Sequence, residues 1–217
     1  FGIGPAHTAG TTIFKNINEL KPAHFGIYNN SGLHIERYWK LISKPHTDNL
    51  ESTCKKVKFL LNDAITRQLV SDVPLCTFLS GGLDSSIITK FAADYCEKEK
   101  LPPLDTYSID YVDNDKNFVK SDFQPNSDNY YINLMNQNLH TNHHSIIIDT
   151  PELADALENA MIARDMPGMA DIDSSLLLFC KNVKKEMTVS LTGECADEIF
   201  GGYPWFFRED ALNSRTF

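Results

Sequence analysis

The chain has 217 residues, 42% of them hydrophobic and 23% charged, enough apolar material for one sizeable core in an ordinary soluble globular protein. Its net charge of −9, from 29 acidic against 20 basic residues, argues against a nucleic-acid backbone as the main partner and leaves locally bound nucleotides open. No apolar run reaches the length of a membrane span, and five scattered cysteines without a Cys-x-x-Cys pair point to a reducing compartment, the cytoplasm.

The chain begins at Phe1 without a Met or a signal-like segment, so a start internal to a longer protein is expected. His24–Tyr28 and Leu33–Tyr38 flank Asn29-Asn30-Ser31-Gly32 and read as a β-hairpin with a Gly-bearing turn. A lone hairpin is marginal in water. It therefore either packs on the core that follows or is the tail of a second domain. Lys44–Asp48 reads as a linker.

Leu50, Cys54, Val57, Leu61, Ala64, Ile65 and Leu69 step by three and four, which predicts an amphipathic helix over 50–70. A strand over 75–79, a glycine-rich loop and a helix over 85–98 follow. Thr106–Tyr111 reads as a second strand, 112–127 as a long polar loop, and Tyr131, Leu134, Met135 and Leu139 as a helix face. Ser145–Ile148 is apolar nearly throughout, as strands buried on both faces are. Thr150-Pro151 places a Thr N-cap before a Pro at the first helical position, with Leu153, Leu157, Ala160 and Met161 as that helix's buried face. A break at Met166–Met169, a helix through Leu176–Val183 and a strand over 187–191 complete the pattern. Strands alternating with helices imply an α/β fold, a parallel twisted sheet with helices on both faces. In such sheets ligands bind beyond the carboxyl ends of the strands, where Ser80, Asp110, Asp149 and Thr192 fall.

Two stretches carry chemistry. Ser80-Gly81-Gly82-Leu83-Asp84-Ser85-Ser86 joins a buried strand to a helix N-terminus, the arrangement of an anion cradle. Adjacent glycines let backbone N–H groups approach a ligand. Without a Lys at its end it is not the common NTPase loop. Asp84 would repel phosphates unless a divalent cation intervened, so the loop reads as a polyphosphate and Mg²⁺ site. The simpler alternative is that Asp84 and Ser85 cap the helix. In the second stretch, Thr192–Tyr203, the acids Glu194, Asp197 and Glu198 lie within five residues. If a helix opens after Gly193, Glu194 and Asp197 share a face at i and i+3. Simple capping is again the plainer alternative. Taken together, the two stretches offer Asp84 from one side and Asp197 from the other to one Mg²⁺.

Ser80–Ser86 resembles the PP-loop of the ATP pyrophosphatases. Thr192-Gly193-Glu194-Cys195-Ala196-Asp197-Glu198-Ile199-Phe200-Gly201-Gly202-Tyr203 resembles the signature of glutamine-dependent asparagine synthetases and the related β-lactam synthetases. Leu139–His144, Phe14–His24 and Arg37-Tyr38-Trp39 extend the resemblance over nearly the whole chain. It implies an adenine nucleotide α-hydrolase-like domain over 50–217, its front part, preceded over 1–42 by the end of a class II amidotransferase domain that contributes the hairpin. It further implies a ligase that adenylates the side-chain carboxylate of aspartate with ATP, releases pyrophosphate, and amidates with ammonia from glutamine to give asparagine and AMP. A homodimer is compatible with it. By motif position, Ser80, Gly81, Gly82, Asp84, Ser85 and Ser86 would hold the pyrophosphate portion of ATP, and Leu79, Ile109, Thr192 and Gly193 would surround the adenosine and α-phosphate. Asp84 and Asp197 would hold Mg²⁺, and Glu194 would sit beside the pyrophosphate and the activated aspartate.

Thr192 stands for the family's Ser, Cys195 for a Gly, Ala23 for a common Gly, and Ser145 for a frequent acid. The amidotransferase's N-terminal Cys and a late catalytic Lys have no counterpart in the chain, so the piece alone is expected to be inactive in asparagine formation. The rival readings are a related ligase acting on another acid, and a non-catalytic nucleotide-binding module. His143 and His144, adjacent before a strand, are expected on opposite faces rather than together on a metal. Asp171, Asp173, Ser174 and Ser175 read as caps, with an aspartate-pocket role as the alternative, and Arg164-Asp165 is read the same way. The run Tyr203–Phe207 reads as core or interface.

Overall fold

The computed structural model describes residues 8–120, 126–166, 168–203 and 206–213. Strands β3 (Leu75–Phe78), β4 (Leu104–Tyr111), β5 (Thr141–Ile148) and β6 (Val189–Leu191) form one sheet in the order β5-β4-β3-β6, and every neighbouring pair is parallel. The fold is therefore the expected α/β class. Helices α2 (Leu83–Lys98) and α4 (Asp128–Asn138) carry the chain from β3 out to β5. Helices α5 (Thr150–Arg164) and α6 (Ala170–Val183) return it across the sheet, so that β6 lies on the other side of β3. The chain thus reverses direction between β3 and β6, and the loops leaving these two strands open into one crevice.

Each face of the sheet buries its own cluster. On one, Leu104 packs with Ile65 of α1 (Leu50–Gln68) and with Ala92 and Ala93 of α2. On the other, Cys76 and Tyr107 meet Phe179 and Val183 of α6, and Phe78 stands edge-on to Phe179 with ring centroids 4.7 Å apart. Burial pushes the Cys76 thiol up to about 12, helped by the charge of Asp105, so it is a core group and not a nucleophile. The first face turns polar towards the strand ends. Thr77 shares a 3.0 Å hydrogen bond with Thr89 of α2, and His143 bridges Thr106 and Ser108 at 2.9 and 3.1 Å.

The two histidines do point to opposite faces. His144 stacks on Tyr107 and lies 2.8 Å from Asp105, and neither ring reaches the crevice between β3 and β6. Burial, with a smaller contribution from His144, pulls the His143 pKa below 6.5. The fold therefore favours neutral His143: this stability is present above about pH 6.5 and is lost as pH falls below it. The drop in melting temperature between pH 7 and pH 5 is expected to be smaller in His143→Gln than in the parent.

Several elements depart from the sequence pattern for identifiable reasons. Along α1 only Ile65 is fully buried, while Leu50, Phe59 and Leu60 are 80%, 67% and 55% exposed. Its start is set by Asn49, whose side chain accepts from the Ser52 amide. β5 begins at Thr141 and is not buried on both faces: Ile148 is in the core while Ile147 is 63% exposed, as suits an edge strand. Asp149, not Thr150, caps α5, in a capping box with Glu152. α5 buries Ala156 and Ala160, whereas Leu157 and Met161 stay nearly half exposed. β6 starts at Val189 because the Lys184 to Met187 amides still bond back to α6 and the Thr188 and Val189 amides share the Pro74 carbonyl. A single helical turn, α3 (Asn114–Asn117), interrupts the polar loop.

The hairpin forms as expected. β1 (His24–Asn29) pairs antiparallel with β2 (Gly32–Arg37) around Asn30-Ser31, with Gly32 at a φ of +102°. Ile27, Tyr28, Leu33 and Ile35 are all at least half exposed, so these residues are not packed on the α/β core.

Candidate active site

The cradle is assembled around backbone anchors. Leu79 is buried, and its amide donates to the Tyr107 carbonyl at 2.8 Å, fixing the exit from β3. Gly82 is the N-cap of α2 and offers no side chain, so Asp84 and Ser85 do not cap the helix; both lie in its first turn. Ser85 is buried and staples the loop: its Oγ accepts from the Ser80 amide at 3.2 Å, shares a hydrogen bond with Ser80 Oγ at 3.0 Å and donates to the Gly82 carbonyl at 3.2 Å. Gly81 has a φ of +80°, and a Cβ there would lie 2.7 Å from the Asp128 carbonyl oxygen, so both the turn and the approach of α4 require glycine.

The second motif arrives beside it. A Cβ on Gly193 would come within 3.0 Å of the Asp84 Cβ and 3.1 Å of the Ser85 amide nitrogen, so the end of β6 sits directly on the first turn of α2. The helix after it, α7 (Ala196–Phe200), opens later than expected. Cys195 is its N-cap in the left-handed region, with a φ of +70°, so Glu194 and Asp197 do not share a helix face at i and i+3. The turn brings them together instead, and the Ala196 amide closes it on the Gly193 carbonyl. Gly202 packs against Asp197 so closely that a Cβ would fall 1.8 Å from its Oδ1.

Cys195 and Ala23 have positive φ values of 70° and 59°. A β-carbon there costs roughly 1 kcal/mol. Cys195→Gly is expected to raise the melting temperature by about 2–4 °C, as calorimetry would measure.

Between the two motifs is a cavity of about 460 Å³. The β3 side contributes Ser80, Gly82, Asp84 and Ser85. The β6 side contributes Thr192, Gly193, Glu194, Asp197, Glu198 and Tyr203. Four carboxylates line it without a Lys or Arg among the lining residues. Burial, and then the negative charge of Asp197, raise the Asp84 pKa above its ordinary 3.8. Two carboxylates lining one cavity are a donor set suited to a hard divalent cation. Among the described residues no three ligating side chains converge into a ready-made metal cage. Mg²⁺ is commonly held by one or two carboxylates, with water and phosphate oxygens completing its shell.

A second cavity, about 800 Å³, adjoins it at the ends of β4 and α6. Glu194 lines both. Ile109 lines this second cavity, not the first. Leu79, Gly81 and Ser86 line neither: Leu79 points into the core, Gly81 lies beneath α4, and Ser86 continues α2 with its amide on the Gly82 carbonyl.

Asp171, Asp173, Ser174 and Ser175 lie inside α6, whose N-cap is Met169, so they do not cap it. Asp173 pairs with Arg164 at 2.7 Å, and Asp165 ends α5 with a φ of +61°. Ser174 and Ser175 line the larger cavity, with Ser175 Oγ 2.6 Å from the Tyr111 hydroxyl. Tyr203, read from the sequence as part of an aromatic core run, instead lines the smaller cavity; the only signal was its place at the end of the acidic motif. Phe206 and Phe207 are 43% and 65% exposed, and Pro204 and Trp205 lie outside the described residues.

Comparison with known proteins bears on the same two motifs. A family model described as asparagine synthase matches residues 56–217. The chain belongs to the asparagine synthase family. Asparagine synthetase [glutamine-hydrolyzing] 3 of Bacillus subtilis is 57% identical over 210 residues, covering 97% of this chain and 34% of the relative. Asparagine synthetase [glutamine-hydrolyzing] 1 of the same organism is 31% identical over 195 residues, covering 89% and 28%. A Penicillium rubens protein named amidase chyE is 29% identical over 217 residues, covering 93% and 31%. The chain thus spans about a third of the length of these relatives. Among the described residues no helix is long and apolar enough to cross a membrane.

Proposed function

We propose that this chain carries the ATP site of a glutamine-dependent asparagine synthetase and that the whole protein makes asparagine from aspartate, ATP and glutamine-derived ammonia. The observation that carries the reading is the convergence of Asp84 and Asp197 on one cavity lined also by Ser80, Gly82 and Ser85. Residues 1–42 are then the end of an amidotransferase domain, whose body would cover the exposed hairpin, and 50–217 the front of the synthetase domain.

In this reading the triphosphate enters the smaller cavity, with the N–H groups at the start of α2 turned towards it. Asp84 and Asp197 would hold Mg²⁺, which when bound would neutralise phosphate charge and favour pyrophosphate as a leaving group. The aspartate side-chain carboxylate attacks the α-phosphorus, forming an acyl phosphate bond as the bond to the bridging oxygen breaks and pyrophosphate leaves. Ammonia then adds to the activated carbonyl, loses a proton, and AMP departs. Such a displacement needs alignment and charge neutralisation more than acid–base help. Glu194 lines both cavities, and in this reading it lies beside the pyrophosphate and the activated acid, where its carboxylate can accept hydrogen bonds from the incoming ammonia. Ile109 flanks the nucleoside side of the cleft, while Leu79 acts through its buried side chain and anchored amide.

The test is product identity. With the full-length protein, ATP, aspartate and an ammonium salt, phosphorus NMR is expected to show AMP and pyrophosphate appearing in equal amounts. Release of ADP and phosphate would overturn the reading.

A further inference from the structure

We propose that Asp110 is a positioning residue for the phosphate loop, holding the start of α4 against Gly81 through Asn129. The inference rests on the reading of Ser80–Ser86 as the ATP loop. Asp110 lies near the end of β4, outside both cavities. Its Oδ1 accepts from the Asn114 side chain at 2.7 Å and from the Tyr111 amide at 2.9 Å; its Oδ2 accepts from the Asn129 side chain at 2.7 Å. One carboxylate thus ties α3, the strand end and the first turn of α4 together. Burial raises its pKa, but the hydrogen bonds from Asn129, Tyr111 and Asn114 outweigh that and hold it below the ordinary value, so the clamp is charged at neutral pH.

What the clamp holds is the backbone over the loop. A Cβ on Gly81 would lie 2.7 Å from the Asp128 carbonyl oxygen and 3.3 Å from Tyr131 and Ile132 side-chain atoms. Asp128 immediately precedes Asn129. Within α4 Ile132 is the one buried residue, Tyr130 and Leu134 are 66% and 45% exposed, and the N-cap Ser127 makes no side-chain capping bond. The wall behind the phosphate loop is therefore placed from β4, by a residue that touches no ligand.

The pair can be reversed. Asn129→Asp sets two carboxylates against each other. Asp110→Asn/Asn129→Asp exchanges donor and acceptor across the pair while keeping an oxygen towards Asn114 and the Tyr111 amide. ATP binding to the full-length protein is measured by calorimetry and the KM for aspartate by kinetics, with melting temperature recorded for each variant. Asn129→Asp is expected to weaken ATP binding about tenfold and leave the aspartate KM within about twofold. The double variant is expected to return ATP affinity to near the parent value. Asn129→Ala, which removes the donor without adding charge, is the variant to use if Asn129→Asp does not fold, and should weaken ATP binding about threefold. ATP binding unchanged in the single variants, or a folded double variant no tighter than Asn129→Asp, overturns the proposal. A parent protein that binds no ATP overturns the loop reading itself, and this proposal with it.

Discussion

Asp84→Asn is expected to lower the proposed asparagine formation by the full-length protein about a thousandfold and at the same time to raise the melting temperature of the metal-free protein. The two effects have one origin. Burial and the nearby Asp197 push the Asp84 pKa above 3.8, so the fold favours the neutral acid. A carboxyl group raised in this way contributes stability at low pH that is lost as pH rises through the elevated value, and at neutral pH the ionised group is a net cost. An amide of the same shape removes that cost together with a metal ligand. Adding Mg²⁺ and ATP should then raise the melting temperature of the parent and leave that of Asp84→Asn nearly unmoved, by the ordinary linkage of binding to stability. Kinetics and thermal melts with and without Mg²⁺ check both halves. A variant that keeps parental turnover and Mg²⁺ dependence would favour a non-catalytic nucleotide module instead.

Gly81→Ala is expected to produce the largest structural effect of any single methyl group in the site. The residue has a φ of +80°, and its Cβ would fall 2.7 Å from a backbone oxygen of α4, which cannot rotate away. Left-handed strain of about 1–2 kcal/mol adds to the cost of moving the helix, for a total near 3 kcal/mol. On a protein whose whole stability is of order 5–15 kcal/mol, that is a large fraction. Urea unfolding of the variant measures it, and calorimetry should show ATP binding weakened at least tenfold in the molecules that remain folded. Gly82→Ala is the matched control. Gly82 has a φ of −70° and no contact closer than 3.4 Å, so it should cost far less stability.

Much of this was legible beforehand where short-range chemistry decides the outcome. The buried strand over 75–79, the glycine pair and the helix over 85–98 are read from local pattern alone, with the structure ending the strand at Phe78 and starting the helix at Leu83, as is the hairpin with Gly32 at its turn. Even the departures from the family motif were informative, since Cys195 and Ala23 both have positive φ values. Where tertiary geometry decides, the pattern misled. An Ile run reads as a doubly buried strand, yet β5 lies at the sheet edge and leaves Ile147 exposed. Glu194 and Asp197 near a helix start read as one helical face, yet a left-handed Cys195 puts Glu194 before the helix. A Leu at a strand end reads the same whether it lines a ligand site or the core, and Leu79 is in the core. Asp110 was visible only as an acid at the end of a strand, because its partners Asn114 and Asn129 are brought to it by the fold.

The central claim is that the two motifs form one site that activates aspartate with release of pyrophosphate. Exchange of labelled pyrophosphate into ATP by the full-length protein tests it most directly. The exchange is expected to need both Mg²⁺ and aspartate and to disappear in Asp84→Asn. Exchange unchanged when aspartate is omitted, or undiminished in Asp84→Asn, would contradict it.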